Sequence, residues 1–317
     1  MIIKETEAEY NAGRKGDWIS PSDIKGKKTP FQFHWYKKFH VPEPKTYFNV
    51  GTAFHTAMLE PQKFDKEVTY FPEKSFPDQK TKNADGTIPV RTNANKEAFK
   101  NFQEQNPGKT VLREKDWNVV SSMVQSARAY PGTPRLLQLN QAYIECSFYT
   151  MFIWNQDGSF DRIEPCDKDF KRESDLTILV RTKADFVHKV RGYGMDVKTA
   201  VNVDPDTFAK DCANLEYDIQ GAMVCNIAAA NLGNMMVDTF VVLAVEKTPP
   251  YQAVIYDIKT QDLFDAAEVY IRRLNAIREA INAGKFAGYE YLADNEYGLI
   301  TLQMPGWYKQ KQFNSKF

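Results

Sequence analysis

Two acids and a lysine lie close together in KADFVHKVRGYGMDVKT, residues 183–199, and their types and spacing could do chemistry. Asp185 ends one apolar run, and an Asp-Val-Lys triplet, Asp196 to Lys198, lies in the next. In a strand, alternation puts Asp196 and Lys198 on one face and turns Val197 the opposite way, into the core. An acid and an ammonium then share one pocket. Phosphodiester hydrolysis needs such a pocket, because the scissile phosphate is already negative and repels hydroxide. A hard cation must neutralise it, lower the pKa of bound water and stabilise the leaving alkoxide. Carboxylate oxygens suit Mg2+, which keeps several waters and accepts few protein ligands; Mn2+ is the alternative ion. Asp185 and Asp196 would be those ligands, with the Val197 carbonyl as a further one. Lys198 would orient the attacking water, stabilise its hydroxide form or contact the phosphate.

Taken alone, Asp-x-Lys is a weak motif, since acids and lysines alternate on many solvated strand faces. An upstream Asp eleven residues earlier, on a paired strand, strengthens it. Glu145, on the polar side of the strand-like AYIECSFYTMFIW, is either a third acidic ligand, a ligand of a second metal, or an exposed strand Glu. His55, in GTAFHTAMLEP, follows Gly51 by one helical turn; a lone His on an apolar helix is more often a satisfied core residue than a ligand. Tyr217 and Gln220 are three apart and share one helical face, as contacts to phosphate or Lys198 or as a polar helix edge.

The elements that must position these groups are readable in outline. Helical spacing marks residues 31–39, 49–61 and 115–130, with Pro61 ending the second. Residues 62–110 form a polar elaboration, partly loop and partly helical. Period-two alternation begins at residue 142, with Ile144, Cys146, Phe148 and Phe152 on one face and Glu145, Ser147 and Tyr149 on the other. A charged loop over 161–175 leads to LTILVRTKADFV, and a turn at HKVRG gives YGMDVKTA, an antiparallel hairpin. A loop and one long helix follow over 204–233, with Leu215, Ile219, Ala222, Met223 and Ile227 as the buried stripe. Two further strands precede the amphipathic helix at 263–285 and an aromatic tail reaching Phe317. The chain reads as one domain, residues 1–317, with its catalytic core at about 142–260.

With 43% hydrophobic and 13% aromatic residues the chain can bury a large core. No signal-peptide pattern and no membrane-length apolar run is present, so a cytoplasmic protein without membrane contact is expected. Cys146, Cys166, Cys212 and Cys225 form no CxxC pair, so no zinc ribbon or iron-sulfur cluster is expected. There is neither a GxxxxGK[ST] loop nor a GxSxG elbow, which sets aside a nucleotide-driven motor and a serine hydrolase. Net charge is zero, although lysines crowd at Lys25, Lys27, Lys28, Lys37 and Lys38 and again at Lys309, Lys311 and Lys316, as solvated surface or as phosphate contacts.

GTAFHTAMLEP, RTKADFV followed by GMDVKTA, and YDIQGAMV occur in the order and approximate spacing of RecE-type exonucleases (exonuclease VIII) of the PD-(D/E)XK superfamily, and ISPSDIKGKKTPFQF and LQMPGW resemble that family's ends. The resemblance implies a restriction-endonuclease-like α/β core, a central mixed sheet flanked by helices. It places His55, Glu145, Asp185 and Asp196 around the metal ions, with Lys198 beside them. Ser20 and Ser22, with Lys25, become ligands for a terminal phosphate, and Lys183 a further DNA contact. It implies digestion of one strand of linear duplex DNA from its end, 5′ to 3′. It also implies a homo-oligomeric ring of three or four subunits, a single-strand annealing protein as partner, and a phage or prophage setting in a bacterial host. Two other readings stay open: a structure-specific or site-specific endonuclease of the same fold, and a catalytically silent DNA-end-binding protein.

Overall fold

The structure is a computed structural model that describes residues 1–12, 16–40, 48–84, 86–233, 235–293 and 295–314. In chain order its elements are β1 (Ile2–Lys4), α1 (Glu7–Ala12), α2 (Pro21–Ile24), α3 (Pro30–Phe39), α4 (Phe48–Leu59), α5 (Pro61–Glu67), β2 (Val68–Phe71), α6 (Asn93–Glu104), β3 (Thr110–Arg113), α7 (Glu114–Ala129) and α8 (Thr133–Leu136). There follow β4 (Ala142–Trp154), β5 (Phe160–Pro165), β6 (Thr177–His188), β7 (Tyr193–Ala200), α9 (Pro205–Asn214), α10 (Tyr217–Asn231), β8 (Thr239–Glu246), β9 (Ala253–Ile258), α11 (Thr260–Ala283) and α12 (Gly306–Asn314). Lys316 and Phe317 lie outside the described residues.

Seven strands form one mixed sheet in the order β1-β4-β6-β7-β8-β9, with β5 sharing the outer edge of β4. All of its pairs are antiparallel except β7 with β8, whose crossover is made by α9 and α10. Alternation sends Phe240, Val242 and Ala244 of β8 into the layer under α10 and α11. Val241, Leu243 and Val245 go the other way, into the layer under α4 and α7. A sheet covered on both faces explains why β8 reads as a continuous apolar run. The polar elaboration resolves into α5, α6 and a small parallel sheet of β2 with β3, closed over its own core of Phe71, Phe76 and Ile88. Pro61 takes the first turn of α5, a position where its missing N–H is no loss.

Three expectations are corrected. Residues 160–165 form a strand because an edge strand tolerates the charges that made them read as a loop. The long helix is two, broken where Glu216 adopts φ 50°, and Leu215 at the break is 51% exposed. Strict alternation in β4 also fails: Ile144 packs in the α4/α7 layer while Cys146, Phe148 and Phe152 pack under α10 and α11. The slip occurs at Glu145, whose φ is 51°. Its partner strand slips at the same rung, since Ala184 and Phe186 also face opposite layers.

Between β6 and β7 the ladder is short. Only Phe186 with Met195 and Val187 with Gly194 are paired, and the next rung would have been Asp185 with Asp196. Beyond it β6 stays with β4 and β7 with β8, so the sheet opens as a fork. Ile19 takes over the edge of β6 that β7 leaves: its N–H donates to the Leu179 carbonyl, and its carbonyl accepts from the Arg181 N–H. The segment ISPSDIKG, with α2 inside it, therefore fills the fork.

Across the fork α10 is seated very close to the sheet. A Cβ on Gly221 would lie 2.7 Å from the Phe240 ring, and one on Gly194 would lie 2.9 Å from the same ring. The ring is clamped from both sides and cannot retreat. Gly221→Ala should therefore destabilise the protein by about 1–3 kcal/mol in urea unfolding, despite alanine's higher helix propensity; unchanged stability would show that α10 is free to shift.

Candidate functional site

His55 stands on α4 one turn after Gly51, where the helix crosses β7 closely enough that a glycine Cβ would sit 4.0 Å from Thr199 Oγ1. Ala53, Phe54 and Met58 bury the helix against the sheet, which leaves His55 facing the mouth of the fork. Both of its ring nitrogens are engaged. Nδ1 lies 3.0 Å from Glu145 Oε1, and Nε2 lies 2.7 Å from Asp185 Oδ2. Glu145 reaches it because the left-handed residue swings that side chain out of register. The other Glu145 oxygen meets Lys183 Nζ at 3.0 Å. Asp185 Oδ2 also accepts the Val197 N–H at 2.9 Å, so a side-chain oxygen does what a β6 carbonyl would have done had the ladder continued.

Asp196 and Lys198 approach from the opposite face of β7. Their side chains meet at 2.5 Å, and Gln220 Nε2 stands 3.4 Å from the second Asp196 oxygen. Gln220 in turn accepts from Lys25 Nζ at 2.9 Å, and the Tyr217 ring lies beneath both ammonium groups, at 5.1 Å from Lys25 and 5.4 Å from Lys198. Glu216 fixes this wall. Its carboxylate takes two hydrogen bonds from Arg273, at 2.8 and 2.9 Å, and a third from the Gly26 N–H at 2.7 Å. That bidentate pair is the reason residue 216 holds a left-handed conformation and the helix breaks there.

The electrostatics follow from crowding. Burial opposes charge on His55, but Asp185 and Glu145 overcome it and push its pKa up to about 10. Burial also works against charge on Asp185, and the facing His55 cation overrides it and holds that carboxyl below the usual carboxylate range. Asp196 goes the other way, raised by burial and by the neighbouring Asp185 charge. Lys198 is held protonated by Asp196 and Asp185 despite its burial. Burial and the charge of Lys198 lower Lys25 to about 8.

Such a set is the chemistry of a cation site. One ligand atom each from His55, Glu145 and Asp185 lie within 4.8 Å of one another, two hard oxygens and one imidazole nitrogen, and a histidine cation now sits between the carboxylates. A divalent ion would replace that positive charge and leave the imidazole neutral as a ligand. The sequence-based pairing of Asp185 with Asp196 as the primary ligands is thereby modified. Asp196 is not in the group of three; it is turned to Lys198 and Gln220. Val197 presents its N–H to the fork, and its side chain is buried as expected.

His55, Glu145, Asp185, Lys198, Tyr217 and Gln220 open onto one cleft of about 1030 Å3. Lys4, Lys25, Lys27, Lys63, Lys183 and Lys198 line it, interleaved with Glu5, Glu60, Glu67, Glu145 and Asp185. Ser22 lines it as well. Ser20 does not, contrary to its assignment as a phosphate ligand: it is 2% exposed and its hydroxyl donates to Asp23 at 2.7 Å, as the cap of α2. Lys183, assigned to DNA, is instead the partner of Glu145. Sequence reasoning missed the Glu216–Arg273 brace, whose members are 57 residues apart and share no motif.

A family model described as a PDDEXK-like domain of unknown function (DUF3799) matches residues 171–291, which include both arms of the fork and α10. The solved structure of a protein from Eubacterium rectale, described as a "Putative exonuclease", aligns over 99% of this chain and 100% of that one, at 13% identity and a TM-score of 0.51. A second solved structure, of SSO0001, aligns over 72% of this chain and 85% of that one at 12% identity, and its TM-score of 0.26 carries no argument. No curated protein matches the chain significantly. The chain has a PDDEXK-like fold, a mixed sheet of seven strands flanked by helices. Among the described residues, no helix is long and apolar enough to cross a membrane.

In a thermal or urea unfolding assay, Mn2+ at a hundred times its Kd should add about 2.7 kcal/mol to the stability of the wild type. Asp185→Asn should abolish that increment, and an equal increment in the variant would place the ion elsewhere.

Proposed function

We propose that this protein is a metal-dependent deoxyribonuclease that digests one strand of linear duplex DNA from its end. The observation that carries this reading is the convergence, in one lysine-lined cleft, of the His55–Glu145–Asp185 cluster with the Asp196–Lys198 pair. When bound, a divalent ion, Mg2+ or Mn2+, supplies charge neutralisation of the phosphate and a water of lowered pKa.

The chain's own residues account for the rest. Glu145 and Asp185 present oxygens from two adjacent strands, and His55 completes the set from a helix. Lys183 and the Val197 N–H hold the two carboxylates in place, so the ligands are oriented before any ion arrives. Lys198, kept protonated and aimed by Asp196, donates to the attacking water or to a phosphate oxygen. Gln220, anchored to both Asp196 and Lys25, fixes the distance between the reacting centre and a second ammonium that meets the flanking phosphate.

Action at an end, 5′ to 3′ polarity, a ring of three or four subunits and cooperation with a single-strand annealing protein belong to the same proposal and rest on the sequence resemblance.

The test compares linear duplex DNA, labelled at its 5′ end, with a covalently closed circle of the same sequence in the presence of Mg2+. Wild type should release nucleotides from the linear form alone, and Lys198→Ala should lower the rate by about 10²–10³-fold, as loss of one electrostatic stabiliser does. Cutting of the circle would make the protein an endonuclease. Loss of neither substrate would leave an end-binding protein.

A further inference from the structure

Arg181 on β6 is among the most buried large side chains of the protein, at 2% exposure, and two of its guanidinium nitrogens, Nε and Nη2, are buried with no hydrogen-bond partner among the described residues. Its visible neighbours are two tyrosines. The Tyr10 ring of α1 covers the guanidinium at 4.1 Å, and Tyr149 lies opposite it in the β4–β6 ladder. The Tyr149 hydroxyl donates to Glu5 Oε1 at 2.8 Å and also meets the Arg181 guanidinium, which leaves Nε and Nη2 unsatisfied. Two rungs closer to the fork, Ser147 faces Lys183, and the Ser147 hydroxyl is buried with no partner among the described residues. Directly opposed residues of an antiparallel pair share a face, and residues two apart along a strand do too. Ser147, Tyr149, Arg181 and Lys183 therefore lie on one face of the sheet, in alternate rungs, the second and fourth beyond the Glu145/Asp185 position. Three buried donor atoms without a partner among the described residues are thus gathered in one place, where leaving them unsatisfied is costly for the free protein.

Tyr10 and Lys183 both line the long cleft, so the ring that covers the guanidinium also borders the space that opens onto the metal ligands. Four residues of strand separate Arg181 from Asp185, about 13 Å at strand rise, or about four nucleotides of axial rise along one strand of a B-form duplex. We propose that Arg181 and Ser147 form a second phosphate site in the cleft. It takes a backbone phosphate of the bound strand three to four nucleotides from the reacting one, and Tyr10 is the cover that this phosphate displaces. Arginine suits the role, since its planar fork grips phosphate oxygens through two N–H groups at once. The inference rests on the nucleic-acid reading and extends it from the reacting centre to the length of strand held.

The test uses a Lys198→Ala parent, so that duplex DNA stays intact, and follows binding by fluorescence anisotropy across a salt series. Arg181→Met should weaken binding about tenfold and flatten the slope of log K against log salt by about 0.9, the signature of one lost phosphate contact. Arg181→Lys should keep the slope. Removal of a buried guanidinium with two unsatisfied N–H groups should leave the melting temperature of Arg181→Met within a few degrees of the parent. Tyr10→Ala should tighten binding, and does not depend on how the Arg181 variants fold. An Arg181→Met slope equal to that of the parent, or weaker binding by Tyr10→Ala, would overturn the second site while leaving the nuclease reading intact. A parent that shows no salt-dependent DNA binding at all would overturn both.

Discussion

The structure depends on one interruption, the parting of β6 from β7 after two rungs. A continued ladder would bring Asp185 and Asp196 into direct opposition in a closed sheet, two carboxylates with no room for a counter-charge. Opening the sheet admits His55 from one layer and Lys198, Gln220 and Lys25 from the other, so groups from both faces reach the same cleft. The backbone left unpaired by the fork is satisfied locally. Val197 donates to Asp185, and Ile19 bonds to β6 on both sides of Val180. Each arm of the fork stays paired on its outer side, β7 with β8 throughout and β6 with β4 apart from the slip at Glu145.

The carboxylates repel one another, and the cluster is stable because cations of different kinds are interleaved among them. His55 sits between Glu145 and Asp185, Lys183 braces Glu145, and Lys198 meets Asp196. Raised charge on His55 and lowered charge on Asp196 express the same strain from two sides. An ion between the three ligands relieves it, which is why the arrangement reads as a binding site rather than as a structural salt-bridge network.

Much of this was legible in the sequence where the signal was local. Period-two alternation placed Asp196 and Lys198 together and Val197 apart, and the hairpin turn between two apolar runs located Asp185. The YDIQ spacing put Tyr217 and Gln220 on one helical face, and both do meet the lysines. What failed depended on distant partners. Glu145 was a candidate ligand from the sequence, but the shared slip with β6 that turns it toward His55 had no local signal. The break at Glu216 had no local signal because the residue owes its conformation to Arg273 and Gly26. β1 consists of three residues and exists by pairing with β4 far along the chain.

The most direct test of the central claim is anomalous diffraction from crystals of the wild-type protein grown with Mn2+. The account predicts one strong peak in the fork at about 2.0–2.3 Å from a His55 nitrogen, a Glu145 oxygen and an Asp185 oxygen. A fork with no peak and His55 still bridging the two carboxylates would contradict it.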